Sequence, residues 1–380
     1  MKTNWIYLAV IAFVLIISTG TWAQSPNVVD NPAGQAATAE PSNLFRQTLK
    51  KADSGDAKAQ YNLGVMYANG EGIPQDYNEA FIWFTKSAEQ EQAEAQFFLG
   101  VLYFEGRSGV PQDYNEAFNW YTKAAKQGLA EAQLSLGVMY GTGVGVTQDY
   151  KEALNWYAKA AGQGLAAAQY NLGVMYSKGQ GVPEDDKEAV RWYTKAAKQD
   201  YADAQFNLGV MYLEGRGVPE DDKEAVKWYT KAANQGYVMA QFNLGLMYYN
   251  GIGVAQDNKE AVKWYTKAAE QGDVMAQHNL GVMYVAGQSV PQDYNEAVKW
   301  YTKAAEQGYA AAQHNLGKMY WNGQGVPEDY VQAYKWLNIA AAQGNDLAKE
   351  GRDALRTLMT YSQIAEAQRL SSEFHPNTKK

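Results

Sequence analysis

Residues 204–239 read AQFNLGVMYLEGRGVPEDDKEAVKWYTKAANQGYVM, and two helical patterns separated by one turn account for the whole stretch. In the first, Ala204, Leu208, Gly209 and Tyr212 fall at i, i+4, i+5 and i+8, one face of a helix. In the second, Ala225, Trp228, Tyr229, Ala232 and Ala233 share another face. Small Ala and Gly at fixed places let helices approach closely, and the large aromatics fill the space beside them. The Gly215 to Pro219 turn ends the first helix. Asp221 then stands as an N-cap with Glu224 three residues on, an acidic form of the capping box that satisfies free amides at the helix start. Gly236 follows as the left-handed stop.

The unit recurs. Ala59-Gln60 is repeated at Ala95, Ala132, Ala168, Ala204, Ala240, Ala276 and Ala312, a period of 36 with one extra residue in the loop from Gly106 to Pro111. An indole returns at one phase in every copy, as Trp83, Trp120, Trp156, Trp192, Trp228, Trp264, Trp300 and Trp336. Such a stripe is core packing rather than a ligand cage, because a cage needs no copy in every unit. Asp113 with Glu116 and Asp185 with Glu188 repeat the cap, and Gly128, Gly164, Gly272 and Gly308 repeat the stop. Glu91 and Asp200 break the glycine rule, which predicts two looser corners.

A fixed period of this size specifies a repeat array. The predicted fold class is all-α: an α/α superhelical solenoid of about eight helix-pair repeats over residues 59–345. An array must hide its two ends. Residues 43–58 supply an N-terminal capping helix, in which Leu44 to Ser54 resembles a second helix without its Trp. Residues 346–374 supply C-terminal caps: one helix from Leu347 to Met359, then another opened by Thr360 with Gln363 and apolar at Ile364, Ala367, Leu370 and Phe374. Residues 375–380 read as a disordered tail.

The N-terminus reads as an address. Lys2 precedes an uninterrupted apolar run from Trp5 to Ile17, followed by small residues at Thr21 and Ala23. This predicts a signal peptide over 1–23, cleaved before Gln24, and hence a bacterial periplasmic or extracellular protein. An uncleaved anchor is the competing reading, and the apolar run is short for a bilayer span. Residues 24–42 carry Pro26, Pro32 and Pro41 among Ala, Gln and Asn, as a flexible linker does. The chain has no cysteine, so there is no lipidation site, no disulfide and no catalytic or metal-binding thiol. The absence of any Asn-x-Ser/Thr sequon favours a bacterial envelope over a eukaryotic secretory lumen.

Hydrophobic residues make up 46% of the 380 and aromatics 13%, enough to bury a core. A formal net charge of -8 with no basic tract argues against nucleic acid or anionic membrane as partner. No catalytic or cofactor site stands out. The Gly-x-Gly turns have no preceding strand and no following Gly-Lys-Ser/Thr, so they are not phosphate loops. The acid runs Glu184-Asp185-Asp186 and Glu220-Asp221-Asp222 fall at helix starts, where capping explains them better than hydrolysis. His278, His314 and His375 are the only histidines. The first two stand at one position of consecutive repeats without a carboxylate pattern to complete a metal set, so no metal is assigned.

The unit Ala-x3-Leu-Gly-x2-Tyr-x2-Gly-x-Gly-Val-x2-Asp-x2-Glu-Ala-x2-Trp-Tyr-x-Lys-Ala-Ala-x2-Gly resembles the Sel1-like repeat, a relative of the tetratricopeptide repeat with a longer loop. The resemblance implies antiparallel helix pairs coiled into a superhelix, first helices on the concave face, and an adaptor or scaffold role. One cysteine-rich secreted branch of that family is associated with penicillin binding and β-lactamase activity. This chain lacks its cysteines, and has neither Ser-x-x-Lys nor Lys-Thr-Gly, so a hydrolase is the least supported reading.

Three positions of the first helix, two, six and nine residues after the leading Ala, line the concave face if the resemblance holds. They include Tyr61, Phe97, Phe104, Tyr170, Phe206, Phe242, Tyr249, His278, His314, Lys318 and Trp321. Packing inside the superhelix explains an apolar stripe equally simply; a peptide-binding groove with aromatic anchors is the functional reading. Lys318 is the only charge in its column and suits a carboxylate or a chain terminus. The expected function is a non-catalytic exported scaffold that binds a protein or peptide. The alternative is an envelope module that binds peptidoglycan or regulates a wall enzyme.

Overall fold

The computed structural model describes residues 41–106 and 109–377. The expected signal peptide, all but the end of the linker, the last three residues of the tail and part of the lengthened loop lie outside those residues. Among the described residues there are nineteen helices and no strand. They are α1 (Asn43–Asp53), α2 (Ala57–Asn69), α3 (Tyr77–Glu89), α4 (Ala93–Glu105), α5 (Tyr114–Lys126), α6 (Ala130–Thr142), α7 (Tyr150–Gly162), α8 (Ala166–Lys178) and α9 (Asp186–Ala197). After these come α10 (Ala202–Glu214), α11 (Asp222–Asn234), α12 (Val238–Asn250), α13 (Asn258–Glu270), α14 (Val274–Ala286) and α15 (Tyr294–Glu306). The last four are α16 (Ala310–Asn322), α17 (Tyr330–Ala342), α18 (Asp346–Arg356) and α19 (Tyr361–Ser372). The chain falls into two compact units, 1–196 and 197–380.

Each repeat is a helix hairpin whose core is set by side-chain size. Ala204 and Leu208 on α10 are buried, as are Ala225, Trp228, Tyr229, Ala232 and Ala233 on α11. Gly209 is the point of closest approach. A Cβ there would lie 2.7 Å from the ring of Tyr229, so only glycine lets the aromatic ring rest on the helix backbone. The same pairing recurs as Gly137 under Tyr157, Gly245 under Tyr265 and Gly281 under Tyr301. The helix-propensity cost of a mid-helix glycine, about 1 kcal/mol, is outweighed by the buried ring.

Trp83, Trp228, Trp264, Trp300 and Trp336 are buried, whereas Trp120, Trp156 and Trp192 are half-buried. The stripe lies at the rim of the core, and a lysine ammonium covers the indole: Lys231 sits 4.4 Å from the Trp228 ring centroid and Lys159 3.9 Å from that of Trp156. A methionine column, with Met139, Met175, Met211, Met247, Met283 and Met319 all buried, completes the core of the repeats.

The aspartate caps form, but as half of the expected box. Asp221 Oδ1 accepts from Lys223 N at 3.0 Å and Glu224 N at 3.1 Å. The reciprocal bond to Glu224 is not made, because the Asp221 amide donates instead to Tyr212 O at 2.9 Å, tying the loop back to the first helix. Glu224 turns to Lys227, 2.9 Å away. Only Thr360 with Gln363, at the start of α19, makes the full two-way box among the described helices.

The two corners without glycine are strained rather than loose. Glu91 and Asp200 take φ of 62° and 59°, the left-handed conformation that Gly128 and Gly236 take elsewhere. Glu91 N still donates to Ala88 O at 3.0 Å, as Gly128 N does to Ala125 O at 3.1 Å. Ser289, with φ 60°, is a third such residue, in the loop after α14.

Candidate functional site

The three columns proposed for the first-helix face are not equivalent. Six of the position-two side chains lie against the aromatic ring of their own repeat's second helix, whereas the last repeat, which carries His314, has Leu337 in place of that ring. Phe97 meets Tyr121 with ring centroids 5.6 Å apart, Tyr170 meets Tyr193 at 5.9 Å and Phe206 meets Tyr229 at 5.6 Å. Phe242 meets Tyr265 at 5.8 Å, His278 meets Tyr301 at 5.8 Å and Tyr61 meets Phe84 at 6.0 Å. Phe97 and Phe206 are only 4% and 8% exposed, so these two brace the tyrosines and present almost no surface of their own. Phe206 is closed in further by Tyr237, 5.1 Å away.

The other named residues keep accessible surface. Tyr61, Phe104, Tyr170, Phe242, Tyr249, His278, His314 and Trp321 are half-buried, and Lys318 is exposed. Phe104 leans on Tyr114, with centroids 5.1 Å apart. Tyr249 donates its hydroxyl to Gln288 Oε1 at 3.2 Å, and Trp321 packs beside the cluster around Tyr334 and Leu337. Burial first, and the charges of Glu94 and Glu131 second, push the Tyr61 hydroxyl up to about 12.

Within the second unit, α12, α14 and α16 lie side by side. Phe242 and Tyr249 pack against the cluster holding Leu280 and Met283, and Val282 and Val285 against the one holding Leu316 and Met319. An amide network ties α14 to α16. Asn315 Nδ2 lies 3.1 Å from His278 Nε2, and His278 Nδ1 lies 3.3 Å from Asn279 Oδ1. A neutral imidazole protonated on Nδ1 satisfies both, and burial lowers the His278 pKa accordingly. His314 is held neutral by burial first and by the neighbouring Lys318 second. His278 thus has both ring nitrogens engaged by amides. Among the described residues no group of three or more His, Cys, Asp or Glu is placed to hold a metal ion.

The acid runs act at helix starts: Asp185 accepts from Lys187 N at 3.0 Å and Glu188 N at 3.1 Å, as Asp221 does from its own first turn. Among the described residues no helix is long and apolar enough to cross a membrane.

Two exposed residues escaped the three-column reading. Met239 and Met275 stand one residue before the leading Ala and point to solvent. The sequence carried a signal for them. That position is Lys58, Glu94, Glu131 or Asp203 in four other repeats and Ala167 or Ala311 in two more, so a methionine there is conspicuous.

Residues 57–91, 93–129, 130–165, 166–201, 202–237, 238–273, 274–309 and 310–345 each match the model of the Sel1 repeat. No curated protein matches the chain. Among solved structures, a Sel1 repeat protein from Oxalobacter formigenes is 37% identical, over 92% of this chain and 100% of that one, with a TM-score of 0.62. A protective antigen present in uropathogenic Escherichia coli strains, with an SLR fold, is 33% identical over 87% of this chain and 94% of that one, with a TM-score of 0.55. Proteins built from this repeat mediate protein–protein interaction. Eight consecutive repeats, and relatives matched almost end to end, lead to one assignment: the chain belongs to the Sel1 repeat family, as an all-α helix-pair solenoid.

Proposed function

We propose that this Sel1 repeat protein is a non-catalytic scaffold, exported by its N-terminal segment, that binds a protein or peptide on the face of its first helices. One observation carries the reading. The frame of each repeat is nearly constant and buried, whereas the accessible part of the first-helix face changes chemistry from copy to copy. Position nine is Phe104, Ser177, Tyr249 and Trp321 in repeats two, four, six and eight, and position six turns from valine to Lys318 in the last. A solenoid that only had to fold would gain nothing from that variation, whereas recognition requires it.

Lys2, the apolar run from Trp5 to Ile17 and the small residues Thr21 and Ala23 support export, and an exported chain would meet its partner in the envelope or outside the cell. The test is crosslinking capture from the native envelope, comparing the wild-type chain with a Phe104→Ala/Tyr170→Ala/Trp321→Ala variant. A partner held by wild type and lost by a variant with an unchanged melting curve supports the reading. Equal capture by both moves the site to the loops or the second helices.

A further inference from the structure

The second unit contains two adjacent first helices with no charged residue. α12 reads VMAQFNLGLMYYN and α14 reads VMAQHNLGVMYVA, and their one titratable group besides tyrosine is the half-buried His278, whose two ring nitrogens are engaged by amides. By contrast α4, α6 and α10 carry acids and α2 and α8 a lysine. On α12, Met239 and Leu246 are two turns apart on one side of the helix and are 43% and 38% exposed. Met275, 46% exposed, is the counterpart of Met239 one repeat on. The nearest carboxylate along the chain, Asp273, is already committed as the N-cap of α14, accepting from Ala276 N at 2.7 Å. Beyond α14, α16 brings Lys318, which is exposed, lies beside His314 and forms no ion pair with any described residue.

We infer that the first-helix face of repeats six to eight is a docking site for an apolar peptide segment bearing a carboxylate, its side chains on Met239, Leu246 and Met275 and its carboxylate on Lys318. The inference rests on the reading of the first-helix face as the binding surface and names the chemistry that one part of it takes. Exposed methionine and leucine cost solvation in the free protein, and thioether side chains adapt to varied apolar partners. An uncharged field with one free ammonium at its end discriminates by charge: a carboxylate gains a partner there, while a cation is repelled. A single lysine is too little for an anionic membrane or a nucleic acid, each of which needs several cations.

The test uses the full chain and two fluorescein-labelled peptides of one alternating leucine–serine sequence, one ending in a free carboxylate and the other in an amide. Anisotropy titration is expected to show the acid form binding roughly tenfold tighter than the amide. Lys318→Gln should remove that preference and keep the amide's affinity, whereas Met239→Ser/Met275→Ser should abolish binding of both. Both variants alter exposed side chains, and circular dichroism melting confirms that they fold. A wild-type chain that binds neither peptide, or a Lys318→Gln variant that keeps the preference, overturns the inference. So does a dimer in sedimentation that Met239→Ser/Met275→Ser dissolves, because a second copy would then occupy the patch. Envelope capture that is lost in Phe104→Ala/Tyr170→Ala/Trp321→Ala but unchanged in Met239→Ser/Met275→Ser also overturns it, while leaving the general first-helix reading standing.

Discussion

Gln235 donates its side-chain amide to Gln205 Oε1 at 2.8 Å, across thirty residues of chain. Gln205 in turn donates to Ala197 O at 3.1 Å, a carbonyl in the last turn of the preceding repeat's second helix. Such terminal carbonyls have no partner within their own helix. The same relay runs from Gln271 through Gln241 to Ala233 O, and from Gln307 through Gln277 to Ala269 O. Every leading Ala is followed by this buried glutamine, which caps the helix before it, and Gln60, Gln96, Gln133 and Gln313 also accept from the corner after them. Neighbouring repeats are thereby joined by polar bonds as well as by apolar packing.

Gln241→Ala should therefore cost about 1–3 kcal/mol, chiefly because it strands the buried Ala233 carbonyl; Gln271 Nε2 keeps its second acceptor, Gly236 O at 3.1 Å. Gln271→Ala, at an exposed corner, should cost less. Urea titration of the two single variants and the double checks this. Costs that simply add would mean that the two side chains do not act through one another.

Replacing Glu91 by glycine should stabilise the first unit. The backbone there is held at φ 62°, where a side chain costs about 1–2 kcal/mol and glycine loses part of that gain in chain entropy. A net rise of about 1 kcal/mol is expected, read as a higher melting temperature. No change, or a fall, would mean that the Glu91 side chain offsets the strain.

Gly245→Ala has two opposing effects. Alanine favours the helix by about 1 kcal/mol, but its Cβ would lie 2.7 Å from the ring of Tyr265, which is fully buried and cannot retreat. Overpacking of this kind costs about 1–3 kcal/mol, so net destabilisation is expected. Hydrogen exchange should localise the loss to α12 and α13. A variant as stable as wild type would show that the ring has room to move.

Acid should weaken the second unit through its two neutral histidines. The folded-state pKa values of His278 and His314 lie below the ordinary 6.5, so below that pH the unfolded chain binds more protons than the folded one. Stability is full above pH 6.5 and falls as the pH drops from there through the lower folded values. His278→Phe/His314→Phe supplies the residue that stands at Phe242, and should flatten the melting temperature between neutral pH and about pH 5. An equally steep fall in the variant would assign the effect to other groups.

The frame was legible because its signals are repeated and local. Asp221, Gly236 and Trp228 act through their own helix or the adjacent one, so spacing was enough to assign them. The glutamine ladder recurs just as plainly at Gln205, but a polar residue beside the core stripe gains meaning only when the carbonyl of the preceding repeat is placed beside it. The site was legible in part. Whether Phe206 is an anchor or a brace depends on Tyr229 and Tyr237, which reach it through the fold. Met239 and Met275 needed a comparison of charge at one position across repeats, not a search for aromatics. The reciprocal capping bond failed because a loop-to-helix bond to Tyr212 O competed for the same Asp221 amide.

The central claim, that the constant frame folds and the varied first-helix face binds, is tested most directly by hydroxyl-radical footprinting of the chain in its native envelope and after purification. The expected result is protection in the envelope at Met239, Met275, Tyr249 and Trp321, with the loops and second-helix surfaces unchanged. Protection confined to the loops or second helices, with those four side chains oxidised equally in both states, would contradict it.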